Sequence, residues 1–333
     1  METLTPAIDA HAHVIADEPE SVGLLDALGM KLLNLCVPLD AEGRWREDEH
    51  CGPNRYRDLA RSRPGTFAWG TGFDLPRFGD PGYASRVIAG LDRDFASGAV
   101  AVKVWKNIGM ELKDPAGRFV QVDHEVFRPI FDHMEKNGYP AVGHLGEPLA
   151  CWLPLDERSP HFGYYRDNPE WHMHGRAGFP SHGEIMEARD RVLDRHPGLK
   201  FVGAHLGSLE YDVAEIAARL DRYPNFAVDT SARVLDLAMQ DAGAVREFFM
   251  KYQDRILFGT DLGARSLAGM KPDRRAGTLD WLGREWRAEV EYYSTGGMVR
   301  VRDREVQGLA LPGTVVKKVL ESNARRWFPR ISL

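Results

Sequence analysis

Short apolar runs alternate along the chain with amphipathic segments of helical periodicity. Each run has the length of a buried β-strand and is bounded by polar or turn-forming residues. The eight runs lie at residues 7–14, 31–37, 66–73, 98–105, 139–145, 200–206, 225–231 and 255–261. The pattern therefore predicts eight strands in succession.

The intervening segments have the spacing of amphipathic helices. In 209–222, for example, Val213, Ile216 and Leu220 recur three and four residues apart, which places them on one helical face. Gly138, Gly198 and Pro224 follow predicted helices and are typical of helix ends. The helical segments lie at 84–97, 123–138, 183–196, 209–222 and 241–253.

Strands that alternate with helices form βαβ units and a parallel sheet. No GxGxxG follows the first strand and no GxxxxGK[ST] occurs, so the chain lacks the fingerprints of dinucleotide-binding and P-loop folds. Eight strands with crossover helices fit a closed (β/α)8 TIM barrel better than an open sheet. We therefore expect an α/β protein of the TIM-barrel class.

Two stretches exceed what a minimal barrel needs. Residues 147–183, after the fifth strand, are rich in aromatic residues, Pro and His, and an insertion there predicts a lid or a substrate wall; the alternative is a packed surface excursion. Residues from about 264 to 333 follow the eighth strand and are expected to form a C-terminal helical extension. Residues 1–333 are therefore expected to form one domain.

Composition restricts the class of protein. The 333 residues carry 43 Lys and Arg against 49 Asp and Glu, a formal charge of −6, which disfavours nucleic-acid and anionic-membrane surfaces. No apolar run approaches the ~20 residues of a membrane helix, and the first residues lack the pattern of a secretory signal. Three scattered cysteines favour a reducing compartment, so a cytoplasmic location is expected.

Ionisable residues stand at the ends of several predicted strands. Strand 1 ends with His11 and His13, whose side chains point to the same side because a strand alternates. Strand 5 supplies His144, strand 6 supplies His205 and strand 8 supplies Asp261, each directly before Leu-Gly. The carboxyl ends of barrel strands meet at the catalytic face, so these side chains are expected to converge.

The chemistry of this set favours a divalent metal. Neutral imidazoles and a carboxylate suit Zn²⁺ or a similar ion. Such an ion lowers the pKa of a bound water from about 15.7 to about 7. A nearby carboxylate can then accept the proton of that water, and a free histidine can polarise a carbonyl or shuttle a proton.

On these motifs the sequence resembles the amidohydrolase superfamily of metal-dependent TIM barrels. It is most similar to the amidohydrolase-2 branch, which includes aminocarboxymuconate-semialdehyde decarboxylase. The resemblance runs from IDAHAH at the start to GTDLG at strand 8, and on to LPGTVVKKVLESNARRWF at 311–328. It implies a metal-dependent enzyme that acts on a small molecule, and branch members are often homodimers.

The resemblance also implies a role for each matching residue. His11 and His13 match the HxH metal pair, and His144 matches the strand-5 metal ligand. His205 matches the strand-6 histidine that acts on substrate or water. Asp261 matches the strand-8 aspartate, which is both a ligand and a proton acceptor. The implied cofactor is one divalent metal, Zn²⁺ first and Mn²⁺ second.

Strand 4 leaves an alternative open. Binuclear members of the superfamily carry a carboxylated lysine there that bridges two metals, and Lys103 occupies a matching position. The favoured alternative is a lysine that binds a substrate anion or pairs with a carboxylate inside the barrel. Lys106, three residues further on, is the other lysine that could face the mouth.

Other residues are candidates for substrate contact. Glu147 could orient His144 or touch substrate, and Arg233 could clamp a substrate anion, unless it pairs with Asp229. A second HxH, His172 and His174, lies in the insertion rather than on a strand. The candidate substrate-binding residues are Lys103, Trp105, Lys106, Glu147, His172, His174 and Arg233.

Three functions remain open on the sequence. The first is a hydrolase in which metal-activated water attacks an amide, lactone or ester of a small anionic or cyclic substrate, with Asp261 and His205 as catalytic residues. The second is a metal-dependent, non-oxidative decarboxylase with the same ligands. The third is a non-catalytic metal-binding barrel, which the complete set of five side chains disfavours.

Overall fold

A computed structural model describes residues 6–14, 19–37, 53–263 and 271–333. Each of the eight predicted apolar runs contains a strand, and neighbouring strands pair in parallel. The barrel strands are β1 (Ala7–His13), β2 (Met30–Leu35), β3 (Phe67–Gly72), β4 (Val102–Val104), β5 (Ala141–Gly143), β6 (Phe201–Gly203), β7 (Phe226–Asp229) and β8 (Ile256–Leu257).

The eighth strand closes the barrel in two pieces. β8 pairs with β7, and a short β9 (Leu262–Gly263) pairs with β1. Between them, Ala10 N–H donates to the Phe258 carbonyl at 2.9 Å and Asp261 N–H donates to the His11 carbonyl at 2.8 Å. The first and last strands are therefore joined, and the predicted TIM barrel is confirmed.

Helices follow the strands as predicted. Each of the five predicted helical segments contains a helix, and most of the observed helix ends lie within a few residues of the predicted ones. Asn107–Met110 and Ala204–Gly207 are single kinked turns at the catalytic face. The helices are α1 (Pro19–Leu28), α2 (Pro53–Ser62), α3 (Tyr83–Ala96), α4 (Asn107–Met110), α5 (Arg128–Asn137), α6 (Phe162–Asp167), α7 (His182–Arg195), α8 (Ala204–Gly207), α9 (Val213–Arg222), α10 (Val234–Ala238), α11 (Ala242–Lys251), α12 (Pro272–Ser294), α13 (Gly313–Lys317) and α14 (Asn323–Trp327).

The barrel interior is apolar below the site. One buried cluster takes small or branched residues from seven of the eight strands, and Val100 and Ala101 directly before β4, so it fills the inside of the ring. Trp327, Phe328, Ile331 and Leu333 at the end of the chain belong to the same cluster. The C-terminal segment therefore covers the end of the barrel opposite the site, and the ionisable residues occupy the other end.

The insertion after β5 contains little regular structure. It holds α6 and two short 3₁₀ helices, Leu149–Trp152 and Pro169–Trp171, before α7 begins at His182. A capping box starts α7, because Ser181 and Glu184 exchange hydrogen bonds. The single-domain organisation and the role of the insertion stay predictions.

The C-terminal extension departs from the expectation in one respect. It is helical in α12 and in the continuous 313–327 helix, whose middle turn Lys318–Ser322 is a π-helix. Between these helices, β10 (Met298–Val301) and β11 (Arg304–Gln307) form an antiparallel hairpin. The expected C-terminal helices are therefore confirmed, and the hairpin is an addition that the sequence did not reveal, because its alternating pattern is only four residues long on each side.

Two further observations bear on location. Among the described helices, none has both the length and the apolar character needed to cross a bilayer. Cys36 is disulfide-bonded, whereas Cys151 is a buried free thiol. The cysteines therefore no longer favour a reducing compartment, and the cytoplasmic location stays a prediction.

Gly143 tests the packing of the barrel wall. A Cβ at this position would lie 2.4 Å from Cζ of Phe201 on β6, so we expect Gly143→Ala to lower the free energy of unfolding by about 1–3 kcal/mol. The matched control is Gly23→Ala in the exposed middle of α1, where a Cβ meets nothing within 4 Å. It should raise stability by about 0.5–1 kcal/mol. Urea denaturation measures both, and an unchanged midpoint for Gly143→Ala would contradict this packing.

Candidate metal centre and active site

Three of the predicted metal ligands converge at the catalytic face. Nε2 of His13 lies 3.2 Å from Oδ1 of Asp261, and Nε2 of His11 lies 3.7 Å from the same oxygen. One ligand atom from each of the three side chains falls within 4.8 Å of the others. Two imidazole nitrogens and a carboxylate oxygen at this spacing can surround one divalent cation.

Hydrogen bonds fix which nitrogen of each imidazole is free. His13 Nδ1 donates to the Leu35 carbonyl at 2.8 Å, and a carbonyl can only accept. His11 Nδ1 donates to Oδ2 of Asp229 at 2.9 Å. Both Nε2 atoms therefore present a lone pair towards Asp261. Support of this kind is typical of metal-binding histidines.

Asp229 is the centre of this support. It is fully buried at the end of β7, and its carboxylate accepts the N–H groups of His205 at 2.8 Å and Ser231 at 3.1 Å, the Ser231 hydroxyl, and His11. Burial opposes ionisation of this group, but the electrostatic interaction and hydrogen bond with His11 hold the pKa of Asp229 below its usual range.

His144 carries a buried nitrogen without a partner. It follows β5, its ring lies 4.3 Å from the His205 ring, and its Nε2 has no hydrogen-bond partner. Burial and the neighbouring positive groups hold the pKa of His144 well below its usual value, so the ring is neutral. His144 is not part of the group of ligand atoms within 4.8 Å, but it lies in the wall of the same cavity as His13 and Asp261, and a neutral, unpartnered imidazole there fits a fourth metal ligand.

His205 and Asp261 share an unusual backbone conformation. Their φ angles are 56° and 62°, in the left-handed region that residues other than glycine seldom adopt. At His205 this conformation turns the main-chain N–H towards Asp229. Its Nδ1 donates to the Ser231 carbonyl at 2.9 Å, so the neutral ring offers Nε2 as a proton acceptor. Strain of this kind is concentrated at functional sites.

Lys103 points into the barrel from β4. Its Nζ lies 2.8 Å from Nε2 of His11, the nitrogen that would bind a metal. Burial lowers the pKa of Lys103 to about 8. No carboxylate within the described ranges lies close enough to form an ion pair with it. Of the two roles in the favoured alternative, pairing with a carboxylate is therefore not seen among the described residues, and binding of a substrate anion stays a prediction.

A second group of potential ligands is better explained as support. His11, His205 and Asp229 also lie close enough to surround an ion. However, Nδ1 of His11 and Oδ2 of Asp229 already bond to each other, and His205 Nδ1 is bonded to a carbonyl. These atoms hold the ligands in place, so the available lone pairs face Asp261.

A cavity of about 570 Å³ opens above this cluster, and His13, His144, His205 and Asp261 lie in its wall. The insertion forms one side of the cavity, chiefly through aromatic residues between Tyr164 and Trp171. The predicted insertion therefore does border the site.

Lys106 and Glu147 form a buried ion pair in the cavity wall. The Lys106 ammonium also lies 4.1 Å from the centre of the Trp171 ring, and the Tyr165 hydroxyl donates to Glu147 at 3.1 Å. Glu147 therefore neutralises Lys106 and does not orient His144. Trp105, also in the wall, donates its indole N–H to the Cys36 carbonyl at 3.2 Å.

Arg233 lies in the cavity wall, and no carboxylate among the described residues forms an ion pair with it. It is buried, its Nη1 donates to the Ala232 carbonyl at 2.8 Å, and its Nε has no hydrogen-bond partner. The alternative in which Arg233 pairs with Asp229 is excluded, because Asp229 is occupied by His11 and its neighbours. Arg233 is therefore placed to receive an anionic group.

The second HxH does not reach the cavity. His172 Nε2 donates to the Leu153 carbonyl at 2.9 Å, and His174 Nδ1 donates to the Trp152 carbonyl at 3.1 Å. Neither residue lies in the cavity wall. Both imidazoles instead hold the insertion together, so the structure does not support the predicted substrate contacts.

Three ionisable residues of the cavity wall have no counterpart in the sequence prediction. His161 of the insertion pairs with Asp236 of α10 at 2.8 Å, and both line the cavity. Arg302, at the tip of the C-terminal hairpin, lines it as well. None of the three stands at the end of a barrel strand, which was the signal that identified the other residues.

Comparisons with known proteins agree with this geometry. The family model described as "Amidohydrolase" matches residues 8–330. No curated protein matches the chain.

Solved structures with the same fold include enzymes of several kinds. A 2,6-dihydroxybenzoate decarboxylase from Rhizobium is 17% identical, with 98% of this chain and 99% of that chain covered and a TM-score of 0.55. A 4-oxalomesaconate hydratase from Rhodopseudomonas palustris is 13% identical, with 97% and 96% covered and a TM-score of 0.53. A dihydroxybenzoic acid decarboxylase from Polaromonas sp. JS666, with bound manganese, is 16% identical, with 98% and 97% covered and a TM-score of 0.55. At these identities the likeness shows the fold.

The two HxH pairs allow a matched test of the metal ligands. We expect His13→Gln to lose the bound divalent metal, because a lone pair facing Asp261 is removed. His174→Gln should keep it, because His174 faces a carbonyl of the insertion. Elemental analysis of the purified proteins measures the metal content, and we expect about one metal ion per chain in the wild type. Equal metal content in the two variants would contradict the ligand assignment.

Asp229 can be tested without touching a ligand atom. Asp229→Asn removes the charge that holds His11, so we expect metal affinity to fall about 10- to 100-fold with the fold retained. Asp221→Asn, which weakens a surface pair with Lys251 at 2.9 Å, is the control and should bind metal normally. Competition with a fluorescent chelator measures affinity, and circular dichroism checks the fold. Unaltered affinity in Asp229→Asn would show that His11 needs no such support.

Proposed function

Since the chain belongs to the amidohydrolase family and is an enzyme of that type, we propose that it hydrolyses an amide, lactone or ester bond in a small anionic substrate with the help of one divalent metal. The observation that carries this proposal is the convergence of His11, His13 and Asp261 within 4.8 Å, directly below a cavity.

The residues fit a metal ion. The imidazoles of His11, His13 and His144 and the carboxylate of Asp261 would hold it. His144 is the fourth ligand, because its Nε2 has no hydrogen-bond partner among the described residues. When bound, such an ion lowers the pKa of a water molecule to about 7 and polarises a carbonyl. We propose Zn²⁺, because nitrogen-rich ligand sets suit it. Mn²⁺ is the alternative, as in the Polaromonas decarboxylase.

The residues of the chain would carry the proton transfers. Asp261 lies in the cavity wall and 3.2 Å from His13 Nε2, where its free oxygen could accept a proton from the attacking water and return it to the leaving group. His205 would act first as a proton acceptor, because its Nδ1–H is bonded to the Ser231 carbonyl. It could polarise a substrate oxygen only after it has gained a proton.

The cavity wall would select the substrate. Arg233 offers a guanidinium whose Nε has no hydrogen-bond partner among the described residues, and such groups bind carboxylates in a two-pronged geometry. Trp105 and Trp171 offer flat apolar faces for a cyclic group. These features support an anionic or cyclic substrate. Lys106 is neutralised by Glu147, so its contribution would be to shape the wall.

Non-oxidative decarboxylation is the second candidate. It would use the same ligands, with Arg233 holding the substrate and His205 or Asp261 supplying a proton to the carbon that loses carbon dioxide. Two solved structures with this fold are decarboxylases, which supports decarboxylation as a candidate reaction. A small-molecule substrate, a homodimer, the absence of nucleic-acid and membrane partners and a cytoplasmic location complete the proposal.

A panel of lactones, esters, amides and aromatic carboxylic acids distinguishes the two reactions. Hydrolysis predicts turnover in which ¹⁸O from labelled water enters the product and no carbon dioxide is released. Removal of metal with a chelator should abolish turnover, and Zn²⁺ or Mn²⁺ should restore it. Carbon dioxide release without ¹⁸O incorporation would replace hydrolysis by decarboxylation.

His205→Asn and Asp261→Asn separate proton transfer from metal binding. We expect His205→Asn to keep its metal and to lower kcat about 10²- to 10⁴-fold, the range typical of a lost general acid–base. Asp261→Asn should lower both metal content and kcat. Retained turnover in both metal-loaded variants would contradict the assigned roles, whatever the reaction proves to be.

A further inference from the structure

The C-terminal hairpin brings a guanidinium to the mouth of the cavity. β10 and β11 pair Val301 with Arg304, which leaves Arg302 and Asp303 as a two-residue loop. Arg302 lines the same cavity as His205 and Asp261, although more than forty positions separate it from Asp261 in the chain. The hairpin is therefore part of the site.

The backbone at Arg302 is unfavourable for an arginine. Its φ angle is 55°, and the first position of a two-residue hairpin loop with positive φ is usually Gly, Asn or Asp. For a residue with a Cβ, this conformation costs about 1 kcal/mol of conformational free energy. Arg302 is exposed and lines the cavity, and a strained residue in such a place points to a role for its side chain.

The hairpin is held in place from two sides. Val299, Val301 and Val306 are buried beneath it. The Arg304 guanidinium donates to the Arg158 carbonyl of the insertion at 3.0 Å. Arg302 is therefore presented by a fixed element and not by a free loop.

Despite its burial, the acids around Arg233, namely Asp236, Glu210 and Glu147, are close enough to raise its pKa but are not at ion-pair distance. Glu147 is paired with Lys106, and Asp236 is paired with His161. Neither Arg233 nor Arg302 forms an ion pair with another residue in the described parts of the chain. Burial raises the pKa of Glu289, an acid close enough to sense Arg302, to about 8, so that acid is mostly neutral at pH 7.

We propose that Arg302 determines specificity for substrates with two anionic groups. One group would face the metal ligands and Arg233, and the second, a carboxylate, would bind the Arg302 guanidinium at the mouth. This inference rests on the proposed function, because it assigns the substrate class of the same site. Arg302 binds the part of the substrate that does not react.

Binding of simple anions to the metal-loaded enzyme tests the proposal. The probes are isophthalate against benzoate, and glutarate against butyrate, so that each pair differs by one carboxylate. We expect each dianion to bind about tenfold more tightly than its monoanion, the gain typical of one charge-assisted hydrogen-bonded contact. Isothermal titration calorimetry measures the affinities.

Variants of the hairpin supply the controls. Arg302→Gln should abolish the preference for the dianion and leave monoanion affinity unchanged. Arg302→Gly should also abolish the preference for the dianion, and it should leave the turn intact because glycine adopts a positive φ readily. Arg300→Gln removes an equal charge from an exposed position on the same hairpin and should keep the preference.

Each outcome bears on the proposal. A preference that survives in Arg302→Gln and Arg302→Gly would overturn it. So would equal affinity for dianions and monoanions in the wild type, or no measurable binding of either dianion at millimolar concentration. Metal content and turnover are measured on the same samples. An inactive or metal-free protein refutes the proposed function, whereas active enzyme without the dianion preference refutes only the role of Arg302.

Discussion

The bond between Asp229 and His11 is the interaction on which the site depends. It joins the last residue of β7 to a histidine of β1 across the barrel, with 2.9 Å between Oδ2 and Nδ1. The same buried carboxylate accepts the main-chain N–H of His205, which is held in a left-handed conformation. The Asp229 carboxylate therefore sets both the tautomer of His11, a metal ligand, and the position of His205, the proton-transfer residue. A buried carboxylate is tolerable here only because four donors satisfy it.

The fold was largely predictable, because barrel strands buried on both faces are continuous apolar runs of characteristic length. All eight predicted runs contain strands. Two features escaped prediction. The eighth strand divides around Asp261, whose φ of 62° interrupts the pairing. The hairpin of β10 and β11 carries no Gly or Asn in its loop, since Arg302 occupies the position with positive φ.

The candidate site was predictable where chemistry coincided with strand ends. His11, His13 and Asp261 met this condition, and the structure brings them together. Asp229 also stands at a strand end, but its partner could not be read from the sequence, because a buried carboxylate can bond to any neighbouring donor. His161 and Arg302 lie on an insertion and a hairpin, whose paths over the barrel depend on tertiary packing.

The central claim is that Asp229 fixes His11 so that the lone pairs of His11, His13, His144 and Asp261 meet at one metal ion. A crystal structure of the metal-loaded protein, with anomalous data collected on both sides of the metal absorption edge, measures this directly. The account predicts one anomalous peak within about 2.0–2.2 Å of Nε2 of the histidines and an Asp261 oxygen, with the bond from His11 to Asp229 intact. A peak ligated by other side chains, or a His11 that binds metal through Nδ1, would contradict it.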